Sequence, residues 1–223
     1  MLIKDWMNTP VITIGPDESM MKASKLLKDK NIRRLPVVDD TGKLIGILSD
    51  RDIKEASPSK ATTLDVHELY YLLSEIKVKD IMTKNPVRLK AEDSVEKAAV
   101  LLSEKSLGGL PIVDDNDSVV GIITEKDMFD ILIEITRVRD GGVQMGFQLP
   151  RTPGALKPIL EDLAGSGAKI LSIITVYPKG QPNRKAFIRI DEMEKSELNK
   201  LRDALASRYE LLFFLRDNLH SLI

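Results

Sequence analysis

The chain says the same thing twice. Leu35-Pro36-Val37-Val38-Asp39-Asp40 returns as Leu110-Pro111-Ile112-Val113-Asp114-Asp115, and Gly46-Ile47-Leu48-Ser49-Asp50-Arg51-Asp52 returns as Gly121-Ile122-Ile123-Thr124-Glu125-Lys126-Asp127. Pro111 minus Pro36, Thr124 minus Ser49 and Asp127 minus Asp52 all equal 75, so no net insertion or deletion separates these landmarks. A short unit repeated only twice leaves an apolar face that its twin can cover about a pseudo-twofold axis. That pairing predicts a cleft between the copies, faced from both sides by the same polar residues.

Each copy reads as strand, helix, strand, strand, helix, over about Ile3 to Ile53 and Val78 to Met128. Val11 to Ile14 is a short β-rich run. Ser19 then caps a helix with Met20, Ala23, Leu26 and Leu27 on one face, and Ser94 caps its counterpart with Val95, Ala98, Leu101 and Leu102. Leu35 to Asp39 and Leu44 to Leu48 are strands joined by a turn in which Gly42 supplies positive φ, whereas Asp115-Asn116-Asp117-Ser118 turns without glycine. The boundaries read as 1–56 for the first copy, 57–77 for a connector helix, 78–140 for the second copy and 141–223 for a different domain. The connector opens at Thr62-Thr63 and buries a leucine face; its His67 reads as a surface histidine. After Met128 an apolar stripe runs through Ile131, Leu132 and Ile135 until Gly141-Gly142 ends the helix.

The last region has another grammar. Val143 to Leu149 alternates as a half-buried strand, and Thr152-Pro153-Gly154 reads as the start of a helix, with Thr152 as cap. Strands over Ala168 to Tyr177, Arg184 to Ile190 and Glu210 to Leu215, with a helix over Glu194 to Ser207, complete a β-α-β-β-α-β order. The fold class is therefore α/β in the broad sense (α+β): two small repeats followed by a ferredoxin-like domain.

Composition narrows the chemistry. With 33 basic against 34 acidic residues the net charge is −1, which makes no electrostatic case for nucleic acid or an anionic membrane as partner. There are no cysteines and two histidines, so thiol nucleophiles and Cys-ligated metals are excluded, and neither catalytic residues nor a metal site is expected. The N-terminus carries charges and no sustained apolar run, so a cytoplasmic location is expected.

Ser49-x-x-Asp52 and Thr124-x-x-Asp127 each follow a strand and open a helix. Taken once, a hydroxyl with an acid three residues on is a capping box. Taken twice, it also suits a nucleotide, because amides and a hydroxyl at a helix start receive phosphate while the acid accepts hydrogen bonds from ribose hydroxyls. Arg51 and Lys126 place a cation beside each acid.

The openings Met7 to Pro10 and Met82 to Pro86, followed by LPVVDD and GILSDRD and their counterparts, resemble a pair of cystathionine-β-synthase (CBS) domains, the Bateman module, over Ile3 to about Ile135. The resemblance implies an adenine nucleotide (AMP, ADP or ATP) or S-adenosylmethionine between the copies as a regulatory ligand. It assigns Ser49, Asp52, Thr124 and Asp127 to phosphate and ribose, Val11, Ile12, Val87 and Arg88 to the base, and Arg33, Arg34, Gly108 and Gly109 to the phosphates. Two arginines against two glycines predict unequal sites, the arginine-lined one preferring more phosphate.

The region from Gly142 to about Arg216 resembles an ACT domain, which binds amino acids at its first strand-to-helix turn. That assigns Arg151, Thr152 and Gly154 to an amino acid, with Arg151 standing where the family carries an acid. The domain order resembles the acetoin-utilisation AcuB-like proteins. The combined expectation is a non-catalytic homodimeric regulator that senses adenine nucleotide and acts on a client enzyme. The alternative is an amino-acid sensor whose CBS pair serves as a dimerisation scaffold.

Overall fold

A computed structural model describes residues 1–57 and 74–216. The expected connector, apart from its ends, and His67 lie outside the described residues, as does His220. The chain divides into two compact units, Met1–Met128 and Phe129–Ile223.

In the first unit, helix α1 (Met20–Asp29) begins where Ser19 Oγ accepts the Lys22 amide at 3.2 Å, and its face of Met20, Ala23 and Leu27 is buried. Strands β1 (Arg34–Val38) and β2 (Leu44–Ser49) form an antiparallel hairpin, followed by helix α2 (Asp50–Ala56). After the short helix α3 (Val78–Ile81) and strand β3 (Thr83–Lys84), the second copy repeats the plan. It has β4 (Leu89–Lys90), α4 (Val95–Glu104), β5 (Gly109–Val113) and β6 (Val119–Thr124), and opens helix α5 (Glu125–Thr136), most of which lies beyond Met128 in the second unit.

The hairpin turns owe their shape to an aspartate in each copy. Asp39 Oδ1 accepts the amides of Thr41 and Lys43 at 2.8 and 3.0 Å, and Asp114 Oδ1 accepts those of Asn116 and Ser118 at 2.8 and 2.9 Å. Gly42 (φ +83°) and Asp117 (φ +63°) take the same left-handed conformation, which aspartate tolerates better than most side chains.

The two copies exchange their opening segments. Met20 N donates to Ile76 O and Val78 N to Glu18 O, while Val95 N donates to Met1 O and Ile3 N to Asp93 O. Strand β3 from the second copy's opening pairs with β2, and Asn8 from the first copy's opening bridges Ile122 of β6. The turns also join, Leu44 N donating to Asp117 O and Val119 N to Gly42 O. Each bond has its twin 75 residues away, the backbone signature of the pseudo-twofold. Consistent with the exchange, Val78 belongs to the first copy's core with Ile14, Met20, Leu35, Val37 and Leu48. Ile3, Leu89, Val95, Leu110, Ile112 and Ile123 are buried at the symmetric positions.

The expected strand at Val11 to Ile14 reduces to a single bridge, Ile14 to Val37, because only that residue reaches the hairpin edge. Helix α5 ends at Thr136, short of the glycine pair, since Arg137 adopts φ +55° and a 3-10 turn over Val138–Asp140 follows.

The second unit holds β7 (Val143–Pro150), α6 (Lys157–Gly165), β8 (Ile170–Val176), β9 (Asn183–Ile190), α7 (Lys195–Arg208) and β10 (Leu211–Arg216). Its antiparallel sheet has the order β10-β7-β9-β8, the ferredoxin-like arrangement. Met145, Phe147, Ala186 and Ile188 from alternate strand positions meet Ile159, Leu163, Leu201 and Leu205 of the helices in one core. The start of α6 differs from expectation. Gly154 at φ +79° cannot be helical, so Thr152 to Leu156 form turns and Pro158 of the first helical turn takes the place expected for Pro153.

Candidate functional site

The site begins with two capping boxes. Ser49 N and Ser49 Oγ both donate to Asp52 Oδ2, at 2.6 and 2.7 Å, and Asp52 N donates back to Ser49 Oγ at 3.3 Å. Thr124 N and Oγ1 donate to Asp127 Oδ2, each at 2.7 Å, with the return bond from Asp127 N at 3.4 Å. The hydroxyl-and-acid motif is therefore a cap in both copies, and the cap orients each carboxylate by one oxygen.

Asp127 has a third donor, Asn8 Nδ2 at 2.9 Å, supplied by the other copy's opening segment. Asn8 escapes notice in the sequence because its symmetric counterpart is Thr83, so the repeat does not flag it. The methionines of the openings have a steric role. Met82 lies over Gly46 and Met7 over Gly121, where a Cβ would run into the sulfur. The glycine that starts each GILSDRD-type motif thus makes room for the partner copy's opening.

Arg34 is the residue whose position the repeat least announces. It opens β1 opposite Ser49, and its side chain crosses to the second copy, where the guanidinium occupies the space a side chain on Gly108 would need. A Cβ on Gly109 would stand 3.0 Å from Arg34 Cδ and 3.3 Å from Thr124 Cγ2. Burial lowers the Arg34 pKa, opposed by the charges of Glu125 and Asp50. The arginine and the two glycines therefore share one place, rather than furnishing two separate ones.

Of the other expected residues, Arg33, Arg51 and Lys126 are exposed, and Val11, Ile12 and Val87 are half-buried. Ile12 packs on the first copy's core. Arg88 pairs with Asp117 at 3.3 Å.

In the ferredoxin-like unit, a cavity of about 540 Å³ is lined by Gln148, Pro150, Thr152, Gly154, Tyr209 and Glu210 among others, at the turn between β7 and α6. Thr152 and Gly154 line it. Arg151 instead donates to Pro178 O at 3.0 Å and lies over the Tyr177 ring, 5.5 Å from its centroid. On the cavity wall Tyr209 donates its hydroxyl to Asp162 at 2.6 Å, which holds that carboxyl below its usual range, helped by Arg208. Among the described residues no cluster of His, Asp and Glu could hold a metal ion, and no helix is long and apolar enough to cross a membrane.

Paired α/β copies with exchanged openings and a doubled capping motif form a two-copy module, and the CBS domain model matches residues 3–59 and 78–134. The chain belongs to the CBS domain family. It is 36% identical over 134 residues to a CBS domain-containing protein of Dictyostelium discoideum, covering 60% of this chain and 92% of that one. It is 35% identical over 127 residues to the L-aspartate semialdehyde sulfurtransferase of Methanocaldococcus jannaschii, but spans 22% of that enzyme's length.

Solved structures that share the fold include the following. The CBS domain pair of protein MJ0100, in complex with 5′-methylthioadenosine and S-adenosyl-L-methionine, matches with TM-score 0.50 at 32% identity, covering 59% of this chain and 95% of that one. CBSX2 in complex with AMP matches with TM-score 0.50 at 31% identity, covering 60% and 97%. A putative acetoin utilization protein (AcuB) from Vibrio cholerae matches with TM-score 0.52 at 26% identity, covering 63% and 96%.

Proposed function

We propose that the chain is a non-catalytic cytoplasmic regulator that binds an adenine nucleotide or S-adenosylmethionine between its CBS copies and passes occupancy to its ferredoxin-like domain or to a client protein. One observation carries the reading: the doubled Ser/Thr-x-x-Asp motif sits at symmetric places in a fold shared with proteins solved with AMP and with S-adenosyl-L-methionine. Helix α5 supports the relay. It starts at the Thr124 cap and ends where Thr136 O accepts Ser172 Oγ of β8 at 3.1 Å. A relay requires a ligand with unequal affinity for two states of that helix, so hydrogen exchange around Gly141 and Gly142 should change on ligand addition.

Calorimetric titration with AMP, ADP, ATP and S-adenosylmethionine tests the binding step, beside Asp52→Ala and Asp127→Ala. Because both acids cap helices, each variant is titrated below its own melting transition. Weakened binding by either folded variant supports the reading, and absence of binding by the intact protein to all four compounds overturns it.

The cavity at the β7–α6 turn favours a second reading, an amino-acid sensor of ACT type, with Thr152 and Gly154 as contacts. Arg151 would have to leave Tyr177 and Pro178 to take part. A saturable thermal shift with amino acids, absent with adenine nucleotides, would select this alternative. Both readings include a homodimer, tested by sedimentation at micromolar concentration.

A further inference from the structure

We infer that Arg34 is one cation shared by the two copies, so that the module takes one phosphate-bearing adenylate at a time and leaves the second position to an adenosine ligand without phosphate. The inference rests on the adenine-ligand reading above and adds a charge rule to it.

One place where the module departs from its two-fold symmetry is the meeting of Arg34 with Gly108. The backbone around it is duplicated: Asp50 N donates to Arg33 O, and Glu125 N to Gly108 O. The side chains are not. The first copy contributes Arg33 and Arg34, and the second contributes Gly108 and Gly109. Arg34 leaves its own strand beside Ser49 and lays its guanidinium on Gly108, in the neighbourhood of Thr124. It feels the charges of Asp50 and Asp52 from the first copy and of Glu125 from the second. Among the described residues no carboxylate forms an ion pair with it, and no hydrogen bond engages it.

A guanidinium remains protonated at any physiological pH and offers five donors in a planar fork suited to phosphate. Half-buried and lacking such a partner, it gains most from an anion arriving from solvent. It lies at the place where the two copies meet, so a phosphate approaching from either motif would use the same donors. Once one phosphate holds the fork, a second meets Asp50, Asp52 and Glu125 with that cation already neutralised, and like-charge repulsion opposes it. Arg51 and Lys126 occupy symmetric positions and add one cation to each side, so they do not create the inequality.

The test is calorimetry with adenosine, AMP and ATP on the full chain and on Arg34→Gln and Gly108→Ala, each checked for an unchanged melting transition. ATP should saturate at one per chain, and adenosine should still bind the ATP-saturated protein. Arg34→Gln should weaken ATP by about 10- to 100-fold, the scale of a lost charged hydrogen bond, and leave adenosine nearly unchanged. Gly108→Ala keeps the charge but puts a methyl group where the guanidinium lies, and should give a smaller loss of the same sign. Two equivalent ATP molecules per chain, or equal effects of Arg34→Gln on ATP and adenosine, would overturn the shared-cation inference while the adenine reading stands. Failure of every adenosine compound to bind the intact chain would overturn both.

Discussion

The first CBS copy fills its sheet face with Leu35, Val37 and Leu48, and the second fills the same positions with Leu110, Ile112 and Ile123. Their turns, bulges and helix caps also recur at positions 75 residues apart. The copies differ where side chains reach the seam between them. Asn8 supports Asp127, whereas Thr83 stands at the corresponding place for Asp52; Arg34 crosses to Gly108 with no reciprocal residue. A close-packed core tolerates few shapes, so both copies retain it, while polar positions at a seam can diverge without cost to packing. Asymmetry at the seam is therefore where two copies of one fold can acquire different ligand preferences.

The steric half of this comparison predicts the largest effects. Gly46→Val and Gly121→Val each drive a branched side chain into the methionine of the opposite opening, and each should cost about 1–3 kcal/mol in urea denaturation. Equal costs would confirm that the exchange of openings is symmetric. Pairing Gly46→Val with Met82→Ala should recover part of the loss, since the tightest clash is with the Met82 side chain while Thr83 O, 3.2 Å from the added Cβ, remains, and a double-mutant cycle reads that coupling directly. A Met82→Ala background that leaves the cost of Gly46→Val unchanged would contradict the packing described.

Next in size are the caps. Asp52→Ala and Asp127→Ala should each lose about 0.5–2 kcal/mol. Asp127→Ala should be the costlier by about 0.5–1.5 kcal/mol, because it also removes the acceptor for Asn8. In an Asn8→Ala background the two costs should converge; persistence of the gap would assign it to something other than the exchanged opening.

The smallest effect concerns a pair that only the second copy has. Arg88 meets Asp117, where the first copy has Thr13 and Gly42. The pair is exposed, so Arg88→Ala should change stability by less than about 1 kcal/mol, and less still in high salt. If Arg88 instead faces the base of a bound ligand, adenosine affinity will fall in the same variant while stability barely moves.

Much of the fold was legible because it is written locally. A stripe such as Met20, Ala23, Leu27, a cap such as Ser19, and an aspartate opening a turn each act within a few residues, so spacing reveals them. The ferredoxin-like order emerged from the same alternation, with strand ends placed to within about two residues. Local reading failed where backbone conformation overrode residue type. Arg137 in a left-handed conformation stops α5 before its glycines, and Gly154 delays α6 beyond its expected cap. For the candidate site, the sequence pointed to both Ser/Thr-x-x-Asp motifs and to the Arg33-Arg34 versus Gly108-Gly109 contrast. It could not show that the contrast occupies one place.

By itself, then, the sequence determined that two equivalent units exist, which face of each is apolar, and which polar residues recur at 75-residue spacing. Only the tertiary structure decided that each unit is completed by the other's opening segment, that Met7 and Met82 rest on glycines of the opposite copy, and that Arg34 lies across the seam on Gly108. The physical reason is range: helix and strand patterns follow from side-chain direction along one element, whereas the choice of a partner across a seam depends on contacts between residues distant in sequence that leave no period to read.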